Sequence, residues 1–174
     1  MSGTTLVLAL GEPGLGDDGF GPLASAELQR AYQLDDAVIL LDARAVGVRL
    51  LPLLTRVQHL LVLAALRLGA PAGTLHRLEW RAAPEALGLR LPRFRGDGVE
   101  LLRQLDFWVD PVPELVVLGV DSEAAAAPSG GAGGGLTAPV ARALSSIVEV
   151  AVEELRRWGH RVPARRVANE SVAA

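Results

Sequence analysis

Two adjacent carboxylates, Asp17 and Asp18, sit inside the glycine-rich stretch Gly11-Glu12-Pro13-Gly14-Leu15-Gly16-Asp17-Asp18-Gly19-Phe20-Gly21, directly after the apolar run Leu6-Val7-Leu8-Ala9-Leu10. Carboxylates so placed can hold a cation, move a proton or cap the next helix. Spelled as Gly14-Leu15-Gly16-Asp17-Asp18-Gly19, the turn also matches the glycine pattern of a dinucleotide-binding loop. Such a loop offers backbone N–H groups and a helix N-terminus to a pyrophosphate, and two negative charges at that position repel one. No Lys-Ser or Lys-Thr pair follows, which removes the P-loop as well. A helix cap accounts for one Asp and leaves the second unexplained.

The rest of the composition narrows the chemistry. Cysteine is absent from the 174 residues, which excludes disulfides, thiol nucleophiles and thiolate ligands together. All 17 basic residues are Arg, so Schiff-base chemistry on lysine is excluded too. A formal charge of −3 gives no reason to expect nucleic acid. His59 opens an apolar run and reads as structural, whereas His76 has no acid or serine visibly arranged beside it. Ser145 and Ser146 lie among apolar helical residues, and no Ser occupies a strand-to-helix elbow, so no Ser-His-Asp triad is indicated. Arg90, Arg93 and Arg95 form a basic group able to receive an acidic peptide.

The elements that must position these residues follow from the hydrophobic pattern. The run at 6–10 is too short for a helix and bounded by glycine, so it is a buried strand, and the acidic turn lies at its carboxyl end, where open α/β sheets bind ligands. Leu23, Ala24, Leu28 and Ala31 predict a helix over about 21–34. Val38-Ile39-Leu40-Leu41 forms a second strand ending at Asp42, a short helix over about 48–55 tolerates Pro52 near its start, and residues 59–64 form the third strand. Residues 74–80 interleave polar with apolar side chains and read as an antiparallel edge strand; 81–98 reads as a loop over the functional end, 98–107 as a helix and 115–120 as the last buried strand. Residues 124–135, poor in side chain, read as a flexible loop or lid. Thr137 is expected to cap a single final helix that ends before Gly159, with a loose tail over 163–174.

One domain over 1–174 is therefore expected, a three-layer α/β/α sandwich around a mostly parallel five-stranded sheet with one antiparallel edge strand. No apolar run reaches the roughly 18 residues of a membrane span, and residues 1–5 carry no positive charge ahead of a hydrophobic region, so a cytoplasmic monomer is expected.

The first turn, Asp42, and the sequence Gly135-Leu136-Thr137-Ala138-Pro139-Val140 that opens the last helix together resemble the hydrogenase maturation proteases, and the order of elements fits over about residues 5–160. The resemblance implies an endopeptidase that removes the C-terminal extension from the large subunit of a nickel–iron hydrogenase once its nickel is loaded, with that subunit or a related precursor as partner. It implies three side chains converging on the metal: an acid in the first turn, an Asp ending the third strand and a His ahead of the third major helix. Position by position these fall on Asp18, Ala64 and Asp97. Ala64 offers no donor, no Asp or Glu occurs between Asp42 and Glu79, and no His lies between His76 and His160. The Asn of the family's first turn is Glu12 here, and its Gly-Gly-Thr after the second strand reads Ala43-Arg44-Ala45.

Asp18 is thus the candidate catalytic residue; Asp18, Asp97 and Glu12 are candidate metal ligands; and Asp42, Arg44 and Arg95 are candidate substrate-binding residues. An all-carboxylate cluster of Glu12, Asp18 and Asp97 would suit Mg²⁺, Mn²⁺ or Ca²⁺ better than Ni²⁺. Alternatively, Glu12 pairs with an arginine of the same end, such as Arg44 or Arg95. No tightly bound cofactor is expected. Two functions stand: a processing endopeptidase with an altered metal site, and a non-catalytic assembly factor that binds its partner in the same cleft.

Overall fold

The computed structural model describes residues 3–46, 50–79, 111–122 and 134–165. Leucine, valine and alanine dominate β1 (Thr5–Ala9), β3 (His59–Leu66) and β5 (Glu114–Asp121), which are buried almost throughout. Strands apolar on both faces belong in the middle of a parallel sheet covered by helices. With β2 (Val38–Asp42) and β4 (Leu75–Glu79) they form one five-stranded sheet in the order β2-β1-β3-β5-β4. All pairs are parallel except β4 with β5. β4 alternates Leu with His, Arg and Glu, and such a strand belongs at an edge, where polar side chains reach water.

Alternation along each strand sends its side chains to two separate cores. On one face Val7, Leu61, Leu63, Val116 and Leu118 pack with Phe20, Ala24 and Leu28 of α1 (Phe20–Ala31) and with the last two helices, α4 (Ala138–Arg142) and α5 (Leu144–Arg157). On the other face Leu6, Leu8, Leu60, Val62, Leu115 and Val117 pack with Ala43 of α2 (Ala43–Val46), Leu54 of α3 (Leu51–Leu54) and the adjacent Leu50. The three-layer arrangement expected from the sequence is the one observed.

Several boundaries differ from expectation. α1 stops at Ala31, and the extended Tyr32 that follows begins a segment tied to the end of the chain. There the Gln33 N–H donates to Pro163 O (2.9 Å), the Arg165 N–H donates to Ala31 O (2.7 Å), and the Arg165 guanidinium donates to the carbonyls of Gln29 and Tyr32. The start of the tail is therefore pinned rather than loose. α2 was not legible: it begins where the Asp42 carboxylate accepts the Arg44 N–H (2.9 Å). The single final helix is two, divided at Ala143, whose N–H bonds to Val140 O (3.1 Å) in a tightened turn. The expected loop at 81–98, helix at 98–107 and most of the loop at 124–135 lie outside the described residues. Among the described residues no helix is long and apolar enough to cross a membrane.

Candidate functional site

The chain leaves β1 for β2 on one side and returns to β3 on the other, so strand order reverses between β1 and β3. A crevice opens at such a reversal, outside the carboxyl ends of the strands. Two glycines set the acidic turn into it. Gly11 has φ of 139°, and a Cβ there would lie 1.9 Å from the Asp18 carbonyl oxygen, which instead accepts the Glu12 N–H at 3.1 Å. A Cβ at Gly21 would lie 2.2 Å from Leu10 O and 2.4 Å from Leu63 O, so only glycine lets α1 sit this close to both strands. Between them, a 3₁₀ turn over Gly16–Gly19 presents the two acids.

The two acids part company there. Asp17 reaches the start of α4, accepting the Thr137 N–H at 2.7 Å and its hydroxyl at 3.0 Å. Thr137 occupies the N-cap position but makes no side-chain cap bond, because its hydroxyl is given to Asp17; the expected Thr137 cap is thereby corrected. Asp18 turns to the crevice and meets the guanidinium of Arg67, the first residue after β3, at 3.4 Å. Burial raises the Asp18 carboxyl above its ordinary value; Arg67 opposes this, and the neighbouring charge of Asp17 adds to it. The Nε of Arg67 is buried without a hydrogen-bond partner. An unsatisfied donor of this kind costs about 1–3 kcal/mol.

At the β2 edge of the same end, Arg44 gathers the remaining acids. Its guanidinium holds Asp42 through Nη2 (2.6 Å) and Nε (3.1 Å), and Glu12 through Nη1 (2.9 Å). Burial pushes the Asp42 carboxyl up, but its contacts with Arg44 outweigh this and leave it below the ordinary range. Of the alternatives for Glu12, the arginine pair is the one present. Ala64 is buried in the core facing α2 and α3. Asp97 and Arg95, like Arg90 and Arg93, lie outside the described residues. Among the described residues no three His, Asp or Glu side chains are arranged to hold a metal. With Asp18 and Glu12 each facing an arginine, these donors do not fit a resident divalent cation.

One constellation escaped the sequence reading. Asp121, 1% exposed at the end of β5, accepts a hydrogen bond from the Nε2 of His76 (3.0 Å), 45 residues away. The antiparallel register pairs His76 with Gly119 and so brings the imidazole to this carboxylate. The same oxygen accepts the N–H groups of Leu68 (3.2 Å) and Ala70 (3.3 Å). The signal available was an acid extending a buried apolar run, as Asp42 does. The neighbouring Ser122 hydroxyl donates to Leu66 O (3.1 Å) and is no nucleophile for this pair. His59 is structural, as expected, and stacks on Trp158 with ring centroids 4.8 Å apart.

Comparison with known proteins bears on this end of the sheet. Residues 22–154 match the hydrogenase maturation protease family. The hydrogenase expression/formation protein HupD of Rhizobium leguminosarum bv. viciae is 32% identical over 164 residues, covering 92% of this chain and 78% of that protein. HoxM of Cupriavidus necator, another hydrogenase expression/formation protein, is 31% identical over 153 residues, 87% of this chain and 73% of its own length. Among solved structures, the hydrogenase maturating endopeptidase HybD from E. coli superimposes with a TM-score of 0.79 at 25% identity, covering 92% of this chain and 97% of that one.

Proposed function

The chain belongs to the hydrogenase maturation protease family, and from that premise we propose that it cleaves the precursor of a hydrogenase large subunit, with Asp18 as the acid presented to the substrate. The observation that carries this is the division of labour in the first turn: Asp17 takes the structural contact at Thr137 and leaves Asp18 half-buried at the β1/β3 crevice, with its carboxyl raised. An acid whose ionised form is poorly solvated gains by meeting a positive centre on the substrate. Arg67, at 3.4 Å and incompletely bonded, supplies that charge in its absence and can yield to it. The metal ion of the substrate is such a centre. Arg44, Asp42 and Glu12 form a charged rim beside the crevice, suited to a polar peptide. Asp97 and Arg95 stay candidates for metal and substrate contacts from their sequence positions.

The test is incubation with a nickel-loaded large-subunit precursor, followed by mass measurement. The unaltered protein is expected to shorten the precursor at its C-terminus. Asp18→Asn is expected to lower kcat/KM by about ten- to a hundredfold, the scale of losing a charge-assisted contact. A second reading, a non-catalytic assembly factor using the same cleft, is favoured by one observation: Asp18 and Glu12 are both ion-paired with arginine. Tight binding of the precursor with no change in its mass would select that reading.

A further inference from the structure

Among the described residues, two histidines are paired with aspartates, at opposite ends of the sheet. They differ in what the imidazole has left over. His160, its side chain wholly buried, uses both nitrogens: Nδ1–H donates to Asp35 (3.1 Å) and Nε2 accepts the Thr5 hydroxyl (2.7 Å). At His76 one nitrogen is used. Asp121 Oδ2 already accepts two backbone N–H groups, so the imidazole contact is an Nε2–H donated to that oxygen. Nδ1 then carries the lone pair, and it has no hydrogen-bond partner among the described residues. The side chain is 20% exposed, while Asp121 beneath it is 1% exposed. A buried acid that fixes ring orientation and tautomer, with the basic nitrogen left without a partner on a partly exposed ring, is an arrangement for accepting a proton.

Its position agrees. Asp121 lies opposite Leu66 in the β3–β5 register, and Leu66 precedes the Arg67 that holds Asp18. The His76–Asp121 pair therefore lies at the same carboxyl end of the sheet as the crevice, on its β5–β4 side. Among the described residues the charged neighbours are few: Asp121 faces the ring from β5, Arg67 begins the β3–β4 connection, and Arg77, next along β4, turns away to Glu154 and Glu79.

Building on the reading of the chain as an endopeptidase, we propose that His76, oriented by Asp121, is the proton acceptor in peptide-bond hydrolysis. Nδ1 takes a proton from a water molecule as the water oxygen bonds to the scissile carbonyl carbon. The C–N bond then breaks, and the same proton passes to the departing amine. One water is consumed, its second proton stays on the new carboxyl group, a carboxylic acid and an amine are released, and the imidazole returns to its starting form. Asp121 holds the Nε2–H throughout and acts as a positioning residue.

The experiment compares cleavage of the precursor by the unaltered protein and by His76→Gln across pH. Gln retains an N–H donor for Asp121 and lacks the basic nitrogen. A fall in kcat of about 10²- to 10⁴-fold is expected, with KM little changed and the imidazole limb of the pH–rate profile lost. Cleavage by His76→Gln within about twofold of normal overturns the proposal and leaves the protease reading intact. Failure of the unaltered protein to cleave overturns the protease reading and this role with it. A second measurement needs no variant. Carbethoxylation of the unaltered protein by diethyl pyrocarbonate should modify His76 ahead of the buried His160 and abolish cleavage, and hydroxylamine should restore it. Full cleavage by protein modified at His76 also overturns the proposal.

Discussion

The two ends of the sheet use the same residue types to opposite ends. At the amino end, Asp35, His160, Thr5 and His59 form one continuous chain of hydrogen bonds, capped by the stack of His59 on Trp158. With His160 Nδ1–H given to Asp35, its Nε2 accepts from Thr5, whose oxygen accepts the His59 Nδ1–H at 3.2 Å, so both nitrogens of His160 and one of His59 are engaged. At the carboxyl end, Asp18, Arg67 and His76 each keep unused bonding capacity. The two partly exposed aspartates show the contrast most clearly. Burial pushes the Asp35 carboxyl up, but the N–H groups of Arg161 and Ala37 and the His160 ring outweigh it and hold it below 3.8. At Asp18 burial wins over Arg67, and the carboxyl lies above 3.8. Apart from the buried Trp158 Nε1, which has no hydrogen-bond partner, the amino end commits these polar groups to folding, whereas the carboxyl end holds its own ready for a ligand.

The signs of these shifts give opposite pH dependences. A depressed carboxyl such as Asp35 contributes stability that is present above 3.8 and lost as pH falls through its folded value. A raised one such as Asp18 makes folding less favourable as pH rises from 3.8 through its folded value.

The contrast can be broken at graded levels. The largest effect is expected from Asp121→Ala, which leaves two backbone N–H groups and the His76 ring without their acceptor and should cost about 3–5 kcal/mol in urea unfolding. A cost below about 1 kcal/mol would show that Asp121 does not hold the β3–β4 connection. Next, Thr5→Val removes the hydroxyl between His160 and His59 and should lower stability by about 2 kcal/mol without changing the processing rate. Lost processing at unchanged stability would contradict the assignment of that end to folding. Asp18→Asn should go the other way, raising stability at neutral pH by under about 1 kcal/mol while processing falls; a large loss of stability would make Asp18 a structural residue. The smallest effect belongs to Glu12→Gln, within about 0.5 kcal/mol by thermal melting, since Arg44 keeps its two contacts with Asp42.

The scaffold was legible because burial on both faces writes continuous Leu, Val and Ala runs into β1, β3 and β5, and because β4 interleaves polar residues as an edge strand does. The acidic turn was legible from its glycines. Which Asp would take which role was not: Asp17 and Asp18 are identical side chains, and the choice depends on where α4 begins, 120 residues later. His76 and Asp121 were missed for the same reason, since only the β4–β5 register joins them. The division of the last helix at Ala143 left no mark in its apolar stripe, which runs on through Val140, Ala143, Ile147 and Val148.

The most direct measurement is the rate of precursor cleavage by Thr5→Val and Asp18→Asn in parallel, at a temperature where both are folded. Assignment of function to the carboxyl end predicts the unaltered rate for Thr5→Val and a loss of about tenfold or more for Asp18→Asn. Full activity in Asp18→Asn, with activity lost in folded Thr5→Val, would contradict it.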